Sequence, residues 1–214
     1  MDILIDKEFS KVKSHILDYA TIKAILEKYD YKRINDKIEY LKKQGIIKSL
    51  KRGLYVHTSM QDNIISKELI ANMLLSPSYI SLDYALSFYG LIPEMVADVT
   101  SVTIKRSKRF NTDFGSFEYK HIKKELYPIG LKIYDAKDYT FLIATKEKAL
   151  CDKIYFTKRL EVFSKKRMLE FLENDLRFDL DEIEGFDKNI VASYYTKSKS
   201  KKIKALLELL DEYN

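Results

Sequence analysis

The chain carries a single cysteine, Cys151, in 214 residues. No internal disulfide framework can form, and no zinc site built on paired thiolates is available. Tryptophan is absent, and there are only three prolines and six glycines. With so few breakers, helices should outweigh strands and connections should be short. No apolar run approaches the ~18 residues a spanning helix requires, and the opening MDILIDKEFSKVK lacks the apolar core of an export signal. A soluble, cytoplasmic protein with no membrane partner is expected. No glycine-rich phosphate loop occurs, and His15, His57 and His121 are scattered, so neither a cofactor nor a metal site is expected.

What the chain does have is positive charge in one place. Between positions 32 and 52 the bases Lys32, Arg33, Lys37, Lys42, Lys43, Lys48, Lys51 and Arg52 face two acids, Asp36 and Glu39, an excess of six that equals the formal net charge of +6 for the whole chain. A concentrated excess on one small unit is the footprint of a polyanion binder.

The pattern beneath that charge is specific. Helical periodicity begins near Lys7, and a second short helix is predicted around TIKAIL, ending at Tyr29-Asp30-Tyr31. In KRINDKIEYLKKQGII, Ile34, Ile38 and Leu41 are spaced four and three, which lines one inward stripe. Gly45 stands where a left-handed cap would stop the helix, and a strand begins at Ile46. Helix, turn, amphipathic helix, glycine stop and small hairpin is the order of a winged helix-turn-helix, assigned to residues 1–60.

Turning the third helix by about 100° per residue places Lys32, Asp36, Glu39 and Lys43 opposite the apolar stripe, with Arg33, Asn35 and Tyr40 on its flanks. Recognition helices read bases with their first residues, so Arg33 and Asn35 are the candidate base contacts. Lys32, Lys43, Lys51 and Arg52 are candidate phosphate contacts. Asp36 either accepts from cytosine or orients Arg33, and Tyr40 either stacks or reaches a phosphate.

The remainder, residues 61–214, reads as an α+β domain with a small antiparallel sheet and a helical carboxyl-terminal tail. Pro77 breaks a helix, and Ser81 caps another whose buried stripe is Leu82, Ala85, Leu86 and Tyr89. VTSVTIKRS and RFNTDFGSFEYKHI alternate as strands, and residues 131–134 with 139–143 form a hairpin. Thr145 and Glu147 make a capping box for TKEKALCDKIYF, and helices finish the chain from Lys166 onward. Lys105, Arg106, Lys108 and Arg109, between two strands, form a possible second basic surface, while KSKSKK from Lys197 reads as a solvated linker. Asp113, Glu118 and Lys120 are too closely spaced around Gly115 for a nuclease metal site, and no Asp-x-Asp follows Gly115-Ser116 as nucleotidyl transfer would want.

The segments RGLY (Arg52 to Tyr55), PSYISLDYALSFYGLIPE (Pro77 to Glu94), VTSVT, FNTDFGSFEYKHI and ATKEKALCDKIY (Ala144 to Tyr155), in that order, resemble the AbiEi family of abortive-infection antitoxins. The resemblance covers roughly Lys32 to Phe156. It implies a bacterial, non-enzymatic protein of a type IV toxin-antitoxin system with a winged-helix amino-terminal domain and a carboxyl-terminal antitoxin domain. Such a protein represses its own operon at inverted repeats of double-stranded DNA and counteracts a separately encoded nucleotidyltransferase toxin without a stable complex. Asp83-Tyr84 and Cys151 depart from the family pattern, being larger or more polar than expected. The alternatives are an orphan winged-helix regulator and a DNA-guided, magnesium-dependent nuclease.

Overall fold

The computed structural model describes residues 2–58, 65–158, 160 and 164–213. The domain boundary expected between positions 60 and 61 lies outside the described residues. The chain is a mixed α+β protein with a three-stranded and a six-stranded sheet.

The first unit runs α1 (Asp2–Ser10), β1 (Ile16–Asp18), α2 (Tyr19–Lys28), α3 (Ile34–Lys43), β2 (Ile47–Lys51) and β3 (Leu54–His57). Asp18 caps α2 by accepting from the Thr21 amide at 2.7 Å, and that bond holds its carboxyl below the usual range. Gly45, at φ +70, closes α3. Its amide donates to the Lys42 carbonyl and that of Ile46 to the Leu41 carbonyl, each at 3.0 Å, the paired bonds of a Schellman ending. Ile38 and Leu41 are buried with Ile5, Phe9, Leu17, Ile22, Leu26 and Ile47, and Ile34 packs against the same cluster.

The three strands lie in the order β1-β3-β2, all antiparallel. Their side chains divide between two cores. Leu17 and Ile47 join the helical cluster of the first unit, whereas Ile16, Leu50, Leu54 and Val56 join the large core of the rest of the chain. Alternation along a strand sends neighbours to opposite faces, so this sheet is a wall shared by both units. β1 escaped sequence reading because three residues are too few to show a period.

The second unit begins with α4 (Lys67–Leu74), β4 (Ser78–Ile80) and α5 (Leu82–Phe88). β5 (Val99–Thr103), β6 (Lys108–Thr112), β7 (Gly115–His121), β8 (Leu131–Asp135) and β9 (Thr140–Ala144) follow, then α6 (Lys146–Phe156), α7 (Lys165–Glu170), α8 (Lys188–Ser198) and α9 (Lys201–Tyr213). The sheet order is β6-β7-β5-β4-β9-β8. The hairpins β6–β7 and β8–β9 are the antiparallel pairs that alternation predicts, but β5 runs parallel to β7 and β4 parallel to β9, so the larger sheet is mixed. β4 reaches β9 only at Ile80↔Ile143. Beside that point Asn72 of α4 donates to the Leu142 carbonyl at 3.3 Å and accepts from its amide at 2.5 Å, so a side-chain amide stands in for a missing strand residue.

α6 is buried almost all round. Thr145 caps it by accepting from the Lys148 amide at 3.4 Å. Glu147 does not complete the expected capping box. Glu147 is the second helical residue after the Thr145 cap and Lys148 the third, so it is not placed to reach back to the cap, and its Oε1 accepts instead from the Asp187 amide at 3.1 Å, at the head of α8. KSKSKK is likewise no linker. It spans the end of α8, a left-handed Lys199 at φ +53, and the start of α9, and Lys202 donates to the carbonyls of Tyr155 and Thr157 at 3.2 and 2.8 Å.

At the centre of this unit sits Asp152, fully buried. Its Oδ2 accepts from Tyr79 at 3.0 Å and Ser81 at 2.8 Å, and its Oδ1 accepts from Tyr194 at 2.9 Å and lies 3.1 Å from Lys148 Nζ. Lys148 also donates to the Leu126 carbonyl at 2.8 Å and lies over the rings of Tyr194 and Tyr79, 4.5 and 5.2 Å from their centroids. Burial and the Asp152 charge push both phenols well above their ordinary value. Gly130 makes room for this arrangement. At φ +59, a Cβ there would come within 2.9 Å of the Lys148 Cβ.

Removing one partner of a buried ion pair leaves the other uncompensated. Asp152→Ala should therefore lower the unfolding free energy in urea by about 3–5 kcal/mol, and Tyr194→Phe by about 1–3 kcal/mol, the loss of one hydrogen bond to a buried charge.

Candidate nucleic-acid interface

The basic segment identified in the sequence lies on α3, the turn before it and the β2–β3 hairpin. Lys32, Arg33, Asn35, Asp36, Tyr40, Lys43 and Arg52 are all exposed, and Lys51 is half-buried. The head of α3 lines an open depression of about 330 Å³ formed by Tyr19, Lys32, Arg33, Ile34, Asn35 and Asp36. Arg33 and Asn35 thus stand at the amino end of an exposed helix face, with the α2 amino terminus beside them. The hairpin turn is held to that same point. The Gly53 carbonyl accepts from the Tyr19 amide at 2.9 Å, which sets Arg52 next to the start of α2.

The positive charge is less bare than the sequence suggests. Arg33 pairs with Asp36 at 2.6 Å, and Lys42 with Glu39 at 2.9 Å. Of the two roles left open for Asp36, the free protein displays the one that orients Arg33. Asp2 of α1 pairs with Lys37 and accepts from the Tyr40 hydroxyl at 3.0 Å. The Lys37 bond holds its carboxyl below the usual range. Tyr40 is therefore tied to the amino terminus, and reaching a phosphate would require it to leave Asp2. Lys48 lies 3.6 Å from Asp113, in the turn between β6 and β7.

Lys51 is the clearest displacement from the expected phosphate contacts. Its Nζ donates to the carbonyls of Leu74 at 2.6 Å and Met73 at 3.3 Å, the unsatisfied carboxyl end of α4. Burial pushes its pKa down, with repulsion from Lys105 and Lys108 adding to the effect. That side chain fastens the hairpin to the second unit. Among the described residues, Lys32, Lys43 and Arg52 make no ion pair within the chain. These three exposed cations remain the candidates for phosphate contact.

The second basic cluster splits in two. Arg109 Nη2 pairs with Asp98 at 2.9 Å and its Nε donates to Ser116 at 3.0 Å, committing it to its own sheet face. Lys108, one residue back and therefore on the opposite face, lies 4.6 Å over the Phe110 ring. Lys105 and Arg106 are exposed in the connection between β5 and β6. Lys105 and Lys108 are thus the members on the hairpin side, being the charges felt by Lys51.

The residues weighed for metal chemistry do not gather. Asp113 faces Lys48, while Glu118 sits in β7 opposite Arg109 of β6. Among the described residues no three His, Cys, Asp or Glu side chains are grouped as metal ligands. Cys151 is fully buried, and burial pushes its thiol far above the ordinary value. The feature missed by sequence reading is the Asp152 cluster. Its only local sign is the four-residue spacing of Lys148 and Asp152, which on most helices marks a solvated pair.

Lys51→Met should destabilise the chain by about 1–3 kcal/mol, because two carbonyls at a helix end lose their donor. Lys43→Ala should stay within about 0.5 kcal/mol, both read from thermal or urea denaturation. No protein-family model matches the chain, and no curated protein matches it significantly.

Proposed function

We propose that this protein is a DNA-binding repressor whose first unit is a winged helix, α3 being the recognition helix and β2–β3 the wing. The observation that carries the reading is the exposed head of α3, where Arg33 and Asn35 stand beside Lys32 and Arg52, cations with no ion pair among the described residues, on a helix whose opposite stripe is buried. Arginine matches the guanine edge and asparagine the adenine edge, while Lys32, Lys43 and Arg52 fit phosphates on either side. Asp36, holding Arg33 at 2.6 Å, pre-orients the guanidinium for a bidentate contact. Lys105, Arg106 and Lys108 extend the basic surface past the wing.

The resemblance to AbiEi antitoxins supports a second role, in which the same cytoplasmic protein counteracts a nucleotidyltransferase toxin encoded beside it. The family-like segments from Pro77 to Glu94 and from Ala144 to Tyr155 meet at the Asp152 cluster through Tyr79, Ser81, Lys148 and Asp152, so they define one structural unit. The departures have partners as well: Asp83 pairs with Lys153 at 2.5 Å, and the Tyr84 hydroxyl donates to Glu68 at 2.5 Å.

Footprinting on the chain's own promoter tests the repressor reading. Protection of an inverted repeat is expected, with affinity falling steeply as salt rises. Arg33→Ala or Arg52→Ala should each weaken binding by about 1–3 kcal/mol; salt-independent binding, or both variants at full affinity, removes the reading. For the second role, the full-length Arg33→Ala/Arg52→Ala double variant is co-expressed with the neighbouring toxin. Growth should be rescued while repression is lost, and growth arrest with soluble double variant present would show that protection is not separable from DNA binding.

A further inference from the structure

Away from α3, the second unit carries a concave basic site of about 620 Å³, lined by His121, Lys123, Lys124, Glu125 and Lys197 with Ile104 and Ile122. It lies where the parallel strands β5 and β7 both end, Thr103 opposite His121, and the last turn of α8 brings Lys197 to it. We propose that this cavity binds a triphosphate group.

Three observations converge on a compact polyanion. First, Lys123, Lys124 and Lys197 make no ion pair within the chain among the described residues, although they line one cavity with a single carboxylate, Glu125. Converging like charges are unfavourable until an anion neutralises them. Second, His121 is clamped in a defined orientation. Its amide donates to Ser107 Oγ at 2.9 Å, and its Nδ1 lies 3.0 Å from the Lys105 carbonyl. A carbonyl can only accept, so Nδ1 carries the proton and Nε2 is left for a ligand. Third, the turn after β7 opens at Lys123. The carbonyls of Lys123 and Lys124 accept from Leu126 and Tyr127, while the amides of Lys123, Lys124 and Glu125 have no acceptor within the chain among the described residues. Amides left without an acceptor in this way are available to an anion.

The shape selects the ligand. An open depression of this volume falls in the size range of small-molecule sites. Among the described residues no Phe, Tyr or Trp lines the site to stack a base, so recognition falls chiefly on the phosphate chain, supplied either as inorganic tripolyphosphate or as a nucleoside triphosphate. The site shares no residue with α3 or the hairpin and stands whether or not those bind DNA.

Calorimetric titration of the full-length protein with sodium tripolyphosphate, ATP and adenosine tests this. Saturable 1:1 binding of the first two, with none of adenosine, is expected. Equal affinities for them assign the phosphate chain alone as ligand, and tighter ATP binding assigns the nucleotide; either ranking supports the site. The Lys123→Ala/Lys124→Ala/Lys197→Ala variant should bind at least tenfold more weakly with an unchanged melting curve, while Arg33→Ala/Arg52→Ala keeps full affinity. Absence of saturable binding, or equal loss in both variants, overturns the proposal.

Discussion

The carboxylate of Asp152 is the constraint around which the second unit is arranged. An ionised carboxyl group withdrawn from water is tolerated only if its oxygens are filled, and here four groups fill them: two phenols, a hydroxyl and an ammonium. They come from β4, the Ser81 that follows it at the head of α5, α6 and α8, so satisfying one charge fixes a strand and the helices around it relative to each other. The same demand explains the packing around it. Lys148 needs the Leu126 carbonyl as a second acceptor, and its Cβ lies so near Gly130 that a side chain there would collide with it.

Charge at the surface follows the opposite logic. Most of the cations that the sequence concentrates between Lys32 and Arg52 are answered within the fold, by Asp2, Asp36, Glu39, Asp113 and the end of α4. What remains is positioned rather than abundant: Lys32 before α3, Lys43 at its end and Arg52 at the hairpin turn. Exposed ion pairs such as Arg33–Asp36 add little stability, and their effect is to limit where a long side chain points.

Much of the first unit was legible in the sequence because its signals are local. The spacing of Ile34, Ile38 and Leu41 and the cap at Gly45 each depend on a few neighbouring residues, and α3 follows from them. β1 and β4 were invisible, because three-residue strands owe their existence to partners far along the chain. The roles of Lys51 and Glu147 were misread for a related reason. Each looked like a member of a local pattern, a basic hairpin or a capping box, and each instead answers an unpaired group on a distant element. The Asp152 cluster is the extreme case, since nothing within α6 says that Tyr79 and Tyr194 will close over it.

The three-stranded sheet has apolar side chains on both sides, one set belonging to the amino-terminal helices and the other to the large core. Splitting the chain after β3 would therefore leave either fragment with a wet, greasy strip where its neighbour had been. The two halves are better viewed as melting in a single cooperative event, so a cavity cut on one side of that wall weakens the other.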